Sequence, residues 1–498
     1  MNIKSQLGKG TAWMSLAASG NSAISFVIFI VLSRLLSPAE IGLVAFALII
    51  VELGKIIVNG GFSQAVVQKA EWDNSYASTC FYLNLLFSIA VALIVLFAIA
   101  PLVERYYQPE AGPILHVLSV MFFLEGTKAV HEGKLKREFA FKVIALRTIL
   151  AGLIPGAIGI FLAYRGYGVW ALVAQQILNQ IVVTTLTLFT AKWMPSLTFS
   201  KAAARQILQF SSPLMLAQFI ANISSKIFEL LIGIMIGPAA LGFYRVGGRA
   251  LYILQDIVLK PFEHTALSAL ARIEGLANQG RATVRMIRMG SFLTFPLFFG
   301  AAAIAPEFIV FAFGIKWELS GEIMTVLSFG IAPFVIGLHV NAALTASGHS
   351  KMVMMIATVS FIINCCLGLI FVPYGLVVAA WAFALRGFII NCMGIFWLKK
   401  AFNIPISQIP KAVAPSLIAS LMMFVAIHFA KPLFAASIPA LLNIAFLCGL
   451  GGLIYALVML VIFRSATGII FTEAEDLAPQ KFKPILVSIR GKMRLKRP

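Results

Sequence analysis

The chain has 498 residues, of which 60% are hydrophobic and only 12% charged, with a formal net charge of +20; its mean hydropathy is +0.95. Soluble domains carry about a quarter of their residues charged, so a soluble globular protein is excluded and the basic excess has to be read against a membrane. Continuous apolar runs, as at 90–100, also argue against a β-barrel, whose strands alternate apolar and polar residues over about ten positions.

A membrane-spanning helix needs about 20 apolar residues. Fourteen such windows lie near 12–36, 41–68, 77–101, 113–131, 143–164, 167–191, 206–236, 240–271, 287–312, 321–346, 352–372, 375–398, 412–430 and 437–463. The expected fold is therefore an all-α polytopic membrane protein, since only helices satisfy the backbone of such segments in lipid. The polar lead with Lys4 and Lys9 runs straight into the first window without a cleavable signal pattern, so that helix is the expected insertion signal. Gly8-Lys9-Gly10-Thr11 lacks the spacing of a nucleotide-binding loop. Connections are short; the longest polar segments are 272–286, 400–411 and the last 35 residues. The outer loops near 102–112 and 313–320 leave no room for an external catalytic domain.

The chain repeats itself. Leu35-Leu36-Ser37-Pro38-Ala39-Glu40-Ile41-Gly42 is echoed 200 residues later by Met235-Ile236-Gly237-Pro238-Ala239-Ala240-Leu241-Gly242. Tyr167-Gly168-Val169 returns as Tyr374-Gly375-Leu376, and Lys142 as Lys351. Six spans separate each pair, which predicts two lobes of the same topology at 1–200 and 201–402, followed by two further spans in 403–464 and a basic cytoplasmic tail over 465–498, whose stretch Lys481–Arg497 reads as a solvated anchor on anionic lipid. Two such bundles facing a central cavity are the usual basis of alternating access.

With the N-terminus in the cytoplasm, 27 of the 39 Lys and Arg fall on the cytoplasmic side, five outside (Arg34, Arg105, Arg165, Lys316, Lys431) and seven within spans. That asymmetry predicts both termini in the cytoplasm. The five cysteines show no metal-ligand spacing and the six histidines, His264 included, no paired motif; neither metal nor cofactor is expected.

The informative residues are the charges inside the spans, because each costs at least about 2.5–3.5 kcal/mol unless it faces water or a partner. Glu52, Lys55 and Asn59 share a face of the second span, and Gln218, Asn222, Lys226 and Glu229 a face of the seventh. In the eighth, Arg245, Arg249, Tyr252, Asp256, Lys260 and Glu263 form one stripe, about as long as the hydrocarbon is thick. Arg147 and Arg386 add single cations. Seven cations thus stand against four acids (Glu52, Glu229, Asp256, Glu263), which predicts a net-positive cavity suited to an anion, with Arg249, Lys260, Lys226, Arg386, Lys55, Arg245 and Arg147 as candidate binding residues. The acids would pair with them or couple an ion. Glu52 with Lys55, Lys226 with Glu229, and Asp256 with Lys260 have the spacing of simple intrahelical pairs, and that plainer role stays open.

Several stretches carry a family resemblance: Leu32-Ser33-Arg34-Leu35-Leu36-Ser37-Pro38-Ala39-Glu40-Ile41-Gly42, Asn59-Gly60-Gly61-Phe62-Ser63-Gln64-Ala65-Val66-Val67-Gln68, Phe139-Ala140-Phe141-Lys142, Gly166-Tyr167-Gly168-Val169-Trp170-Ala171, and Tyr244-Arg245-Val246-Gly247-Gly248-Arg249-Ala250-Leu251. In these the chain resembles the Wzx-type flippases of the multidrug/oligosaccharidyl-lipid/polysaccharide superfamily, most closely the colanic-acid-exporter branch. The resemblance implies a non-enzymatic flippase of the bacterial inner membrane. Its cargo would be an undecaprenyl-pyrophosphate-linked glycan for exopolysaccharide, capsule or O-antigen, and its partners membrane lipids and the polysaccharide polymerase and export machinery. Asn59 stands where relatives often carry an acid. The rival readings are a lipid II flippase, a drug or cation antiporter of the same superfamily, which would need an acidic cavity, and a glycan polymerase or ligase.

Overall fold

A computed structural model describes residues 3–69, 71–434, 439–477 and 483–493. Also outside the description are the side chains of 3–12, 14–19, Pro261, His264, Phe434, Asp476, Leu477, Ile485, Leu486, Ile489 and Lys492, so the predicted place of His264 beside the eighth-span stripe lies outside it, as do Lys481, Arg494, Lys496 and Arg497 of the tail.

Every described element is a helix. Twelve are long and apolar enough to cross a membrane: α2 (Pro38–Gln68), α3 (Asn74–Tyr106), α4 (Ala111–Arg137), α5 (Phe141–Tyr164), α6 (Val169–Ala191), α7 (Lys201–Met235), α9 (Leu276–Phe313), α10 (Ile315–Ala346), α11 (Ser350–Tyr374), α12 (Leu376–Phe402), α13 (Gln408–Leu433) and α14 (Ala440–Val461). The other two predicted spans are also helical. These are α1 (Ile3–Leu35), apolar over Gly20–Leu35, and α8 (Pro238–Leu270), whose stripe of charges keeps its hydropathy low. Fourteen predicted windows thus coincide with α1–α14. The protein is a multi-pass membrane protein, and its outer faces agree: Phe97 and Phe189 are 75% and 76% exposed, which water would not tolerate at this density but lipid does.

Local chemistry sets the boundaries. Ser37 caps α2 in a full capping box: its hydroxyl accepts from the Glu40 amide at 3.3 Å, and its own amide donates to Glu40 Oε2 at 2.7 Å, with Pro38 in the first turn. Ser37→Ala is expected to cost about 1 kcal/mol, read as a lower unfolding midpoint of the purified protein. α2 breaks at Gly60 and Gly61, both at positive φ, before its last two turns resume.

Contacts divide the chain into two compact units, Met1–Arg245 and Val246–Pro498. In the first, α1 packs on α5, α5 on α6, α3 on α4 and α4 on α6, while α2 touches α4, α6 and α7. Small and polar residues join these helices, as lipid offers no hydrophobic drive between them: Asn84 Nδ2 donates to the Gly126 carbonyl at 3.2 Å, and Thr184 Oγ1 to the Leu124 carbonyl at 3.2 Å. The two copies of the repeated Pro-x-x-x-Gly motif meet here. A Cβ on Gly42 would stand 1.7 Å from the Pro238 carbonyl oxygen, and one on Gly242 2.0 Å from that of Pro38. The start of α2 and the start of α8 are therefore in reciprocal backbone contact, and only glycine permits it.

In the second unit α9 packs on α10, α13 and α14, and α10 on α12. Tyr455 Oη donates to the Phe292 carbonyl at 2.9 Å, and Lys431 Nζ lies 2.7 Å from Glu307 Oε2. The segment after the last span is helical where it is described. It forms α15 (Arg464–Leu477) and α16 (Lys483–Lys492), and α15 docks on α9 and α14. Thr467 and Ile470 are buried on its inner face; Arg288 Nη1 reaches Glu473 Oε1 at 2.6 Å, and Arg490 Nε reaches Glu475 Oε1 at 2.9 Å.

Candidate anion-binding site

Two groups of charged residues in the first unit gather most of its candidates. The first joins α2, α7 and α8. Lys226 Nζ lies 3.2 Å from Glu52 Oε2 and 3.8 Å from Glu229 Oε1, and Arg245 Nε lies 2.7 Å from Glu229 Oε2. Glu229 is buried while the Glu52 side chain is 48% exposed. These four residues carry two positive and two negative charges and balance one another.

The second group was not read from the sequence. Its centre is Glu125 of α4, 5% exposed. Glu125 Oε1 accepts from Asn59 Nδ2 at 2.8 Å; Oε2 accepts from Gln180 Nε2 at 2.9 Å and lies 3.1 Å from Lys128 Nζ and 3.9 Å from Lys55 Nζ. Lys55 in turn donates to Gln180 Oε1 at 2.8 Å. α2 thus supplies Lys55 and Asn59, α4 supplies Glu125 and Lys128, and α6 supplies Gln180. One carboxylate stands against two ammonium groups, so the group carries a surplus positive charge.

This arrangement corrects two expectations. Glu52 and Lys55 are not a pair: Glu52 meets Lys226 and Lys55 meets Gln180. Three positions along a helix turn the side chain by about 300°, an offset of about 60°, enough to send the two residues to different neighbours. The sequence count of seven cations against four acids also assigns Lys128 to the cytoplasmic side and omits Glu125, although both lie within the window 113–131. Including both leaves the surplus unchanged.

The remaining candidates are dispersed. Arg147 is 7% exposed in the packing of α4, α5 and α6, where it donates to Thr187 Oγ1 and lies 3.9 Å from Glu132 Oε2. Glu132 is about two turns along α4 from Glu125, so Arg147 does not join the other cations. Asp256 and Lys260 form the predicted intrahelical pair at 3.0 Å, with side chains 45% and 56% exposed. Arg249 is half-buried and Glu263 exposed on α8. Arg386 lies over the rings of Phe383 and Phe334, at 4.5 and 5.6 Å from their centroids; aromatic faces stabilise a cation without neutralising it.

Ammonium and guanidinium groups inside the apolar part of a membrane protein attract anions strongly, because low dielectric raises the interaction. Guanidinium groups add paired hydrogen bonds to phosphate or carboxylate oxygens. The surplus charge of the Glu125 group is of the sign that attracts an anion.

The family signature described as "Polysaccharide biosynthesis protein" matches residues 31–322. The succinoglycan biosynthesis transport protein ExoT of Rhizobium meliloti is 23% identical over 92% of this chain and 93% of its own length. The lipopolysaccharide biosynthesis protein WzxC of Escherichia coli is 22% identical over 64% of this chain and 65% of its own length. Among solved structures, the lipid II flippase MurJ in an inward closed conformation superposes with a TM-score of 0.75 at 15% identity, over 91% of this chain and 98% of that one. It shares the fold.

Proposed function

Since the chain belongs to the polysaccharide biosynthesis protein family, we propose that it is a flippase for a lipid-linked anionic oligosaccharide. The cargo is an undecaprenyl-pyrophosphate-linked repeat unit, moved from the cytoplasmic to the outer leaflet of the bacterial inner membrane by alternating access. The lobes are 1–200 and 201–402, both termini are cytoplasmic, and no cofactor or bond-making step is involved. The supporting observation is the surplus of basic side chains within the spans, which suits a pyrophosphate and acidic sugars and disfavours a cationic drug. The succinoglycan biosynthesis transport protein among the relatives supports this reading. The anion contacts are Lys55 in the first unit and Arg249, Lys260 and Arg386 in the second; Glu52 and Glu229 balance Lys226 and Arg245 within the first unit, and Asp256 and Glu263 are the acids of the second.

Replacing Arg249 and Arg386 together by glutamine should lower glycan export about tenfold or more, two charge-assisted contacts being lost, with unchanged protein in the membrane. Normal export in that variant overturns the proposal. Complementation of a strain depleted of its lipid II flippase would redirect it to that cargo, and efflux of cationic dyes to an antiporter.

A further inference from the structure

Resting on the transport reading, we propose that Lys55 is the anion-contacting residue of the first unit and that Glu125, Lys128 and Gln180 are positioning residues that present it. The geometry is specific. Gln180 is a bifunctional link: its amide nitrogen is held by Glu125 Oε2 at 2.9 Å, which turns its amide oxygen to Lys55 Nζ at 2.8 Å. Reversing the amide would set its oxygen against the carboxylate and its NH2 against the ammonium, so the orientation is fixed by both ends. Asn59 Nδ2 holds the other carboxylate oxygen at 2.8 Å, so Glu125 is immobilised in turn.

The charges then divide unequally. Lys128, its side chain 12% exposed, lies 3.1 Å from Glu125 Oε2 and offsets it. Lys55, its side chain 22% exposed, stands 3.9 Å from the same oxygen, beyond hydrogen-bond length. An ammonium has three donors, and among the described residues Lys55 spends one, on Gln180. Lys226 differs: two carboxylates lie within 3.8 Å of it. Lys55 also stands on α2 between the exposed Glu52 and the half-buried Asn59. It therefore keeps both charge and donor capacity for an incoming anionic oxygen, that of a phosphate group. A lysine with a fixed base and free donors acts as a point charge and suits a headgroup that must be released again.

The test uses the purified full-length chain in detergent with inorganic pyrophosphate as probe, alongside proteoliposomes loaded with the lipid-linked glycan. Lys55→Gln should weaken pyrophosphate binding about tenfold, the loss of one charge-assisted hydrogen bond, with an unchanged unfolding midpoint. Lys55→Arg should restore binding to within about threefold. Gln180→Leu, which keeps Lys55 but frees it, should weaken binding about three- to fivefold, and Gln180→Asn should recover part of that. A merely structural role for Gln180 would lower the unfolding midpoint and leave binding by the folded fraction intact. If Lys55→Gln binds pyrophosphate like the native chain while the native chain moves glycan, the seat is overturned and the transport reading stands. If the native chain binds pyrophosphate through Lys55 but moves no glycan, the transport reading falls and the seat stands.

Discussion

Gly42→Ala should be among the most disruptive single-methyl changes in the chain. The new Cβ would lie 1.7 Å from the Pro238 carbonyl oxygen and 2.5 Å from its carbon, far inside contact distance, and the obstacle is backbone locked by proline rather than a side chain that can rotate. Overpacking typically costs 1–3 kcal/mol and more where nothing yields; about 3 kcal/mol is expected here, measured as a fall in the unfolding midpoint in detergent. Gly20→Ala is the control, because nothing lies within 4 Å of a Cβ there, and alanine in a helix interior should stabilise by about 0.5–1 kcal/mol. The Gly242→Ala variant, 2.0 Å from the Pro38 carbonyl, should cost about as much. The double variant should cost less than the sum, because either methyl alone already forces the two helix starts apart. In any transport cycle that parts α2 from the start of α8, both variants favour the parted state, so export should fall more than protein amount does. An additive double variant would show the two contacts to be independent.

The spans were legible in the sequence because lipid requires long continuous apolar windows; even α8, with its stripe of charges, was bounded by the Gly237-Pro238 entry. The repeat was legible too, though not its consequence. Two matching Pro-x-x-x-Gly motifs do not say that each glycine lies on the other's proline. Within the site, Lys226 with Glu229 and Asp256 with Lys260 followed from spacing, since positions three or four apart on a helix are neighbours in any fold. The contacts between helices did not. Lys55 and Gln180 are 125 residues apart, and Asn59 and Glu125 are 66 apart; what brings them together is the rotation of each helix about its axis, set by the packing of α2 on α4 and α6. Gln180 gave no signal, being neutral. Glu125 gave one, a carboxylate within an apolar window beside a lysine three positions on, and that signal is as strong as the one that marked Glu229.

The contrast between buried and exposed ion pairs yields the last expected result. Glu229 is 6% exposed and faces Arg245 at 2.7 Å and Lys226 at 3.8 Å. Glu229→Gln removes the one negative charge shared by two cations. Breaking a buried pair by deleting a partner costs about 3–5 kcal/mol, because the remaining charge stays desolvated; with Glu52 still beside Lys226 at 3.2 Å, the lower figure is expected, and Arg245, in the closer contact at 2.7 Å, is affected more than Lys226. Adding Arg245→Met to Glu229→Gln should therefore recover most of the loss, whereas adding Lys226→Met should recover little. Asp256→Asn also deletes a carboxylate, 3.0 Å from Lys260, but both side chains are about half exposed, and such pairs contribute about 0–1 kcal/mol. The unfolding midpoint should fall markedly for the first substitution and barely for the second. Equal effects would mean that the start of α8 is as well hydrated as the Asp256–Lys260 pair, and the four-residue network would then be a surface feature rather than the buried joint of α2, α7 and α8.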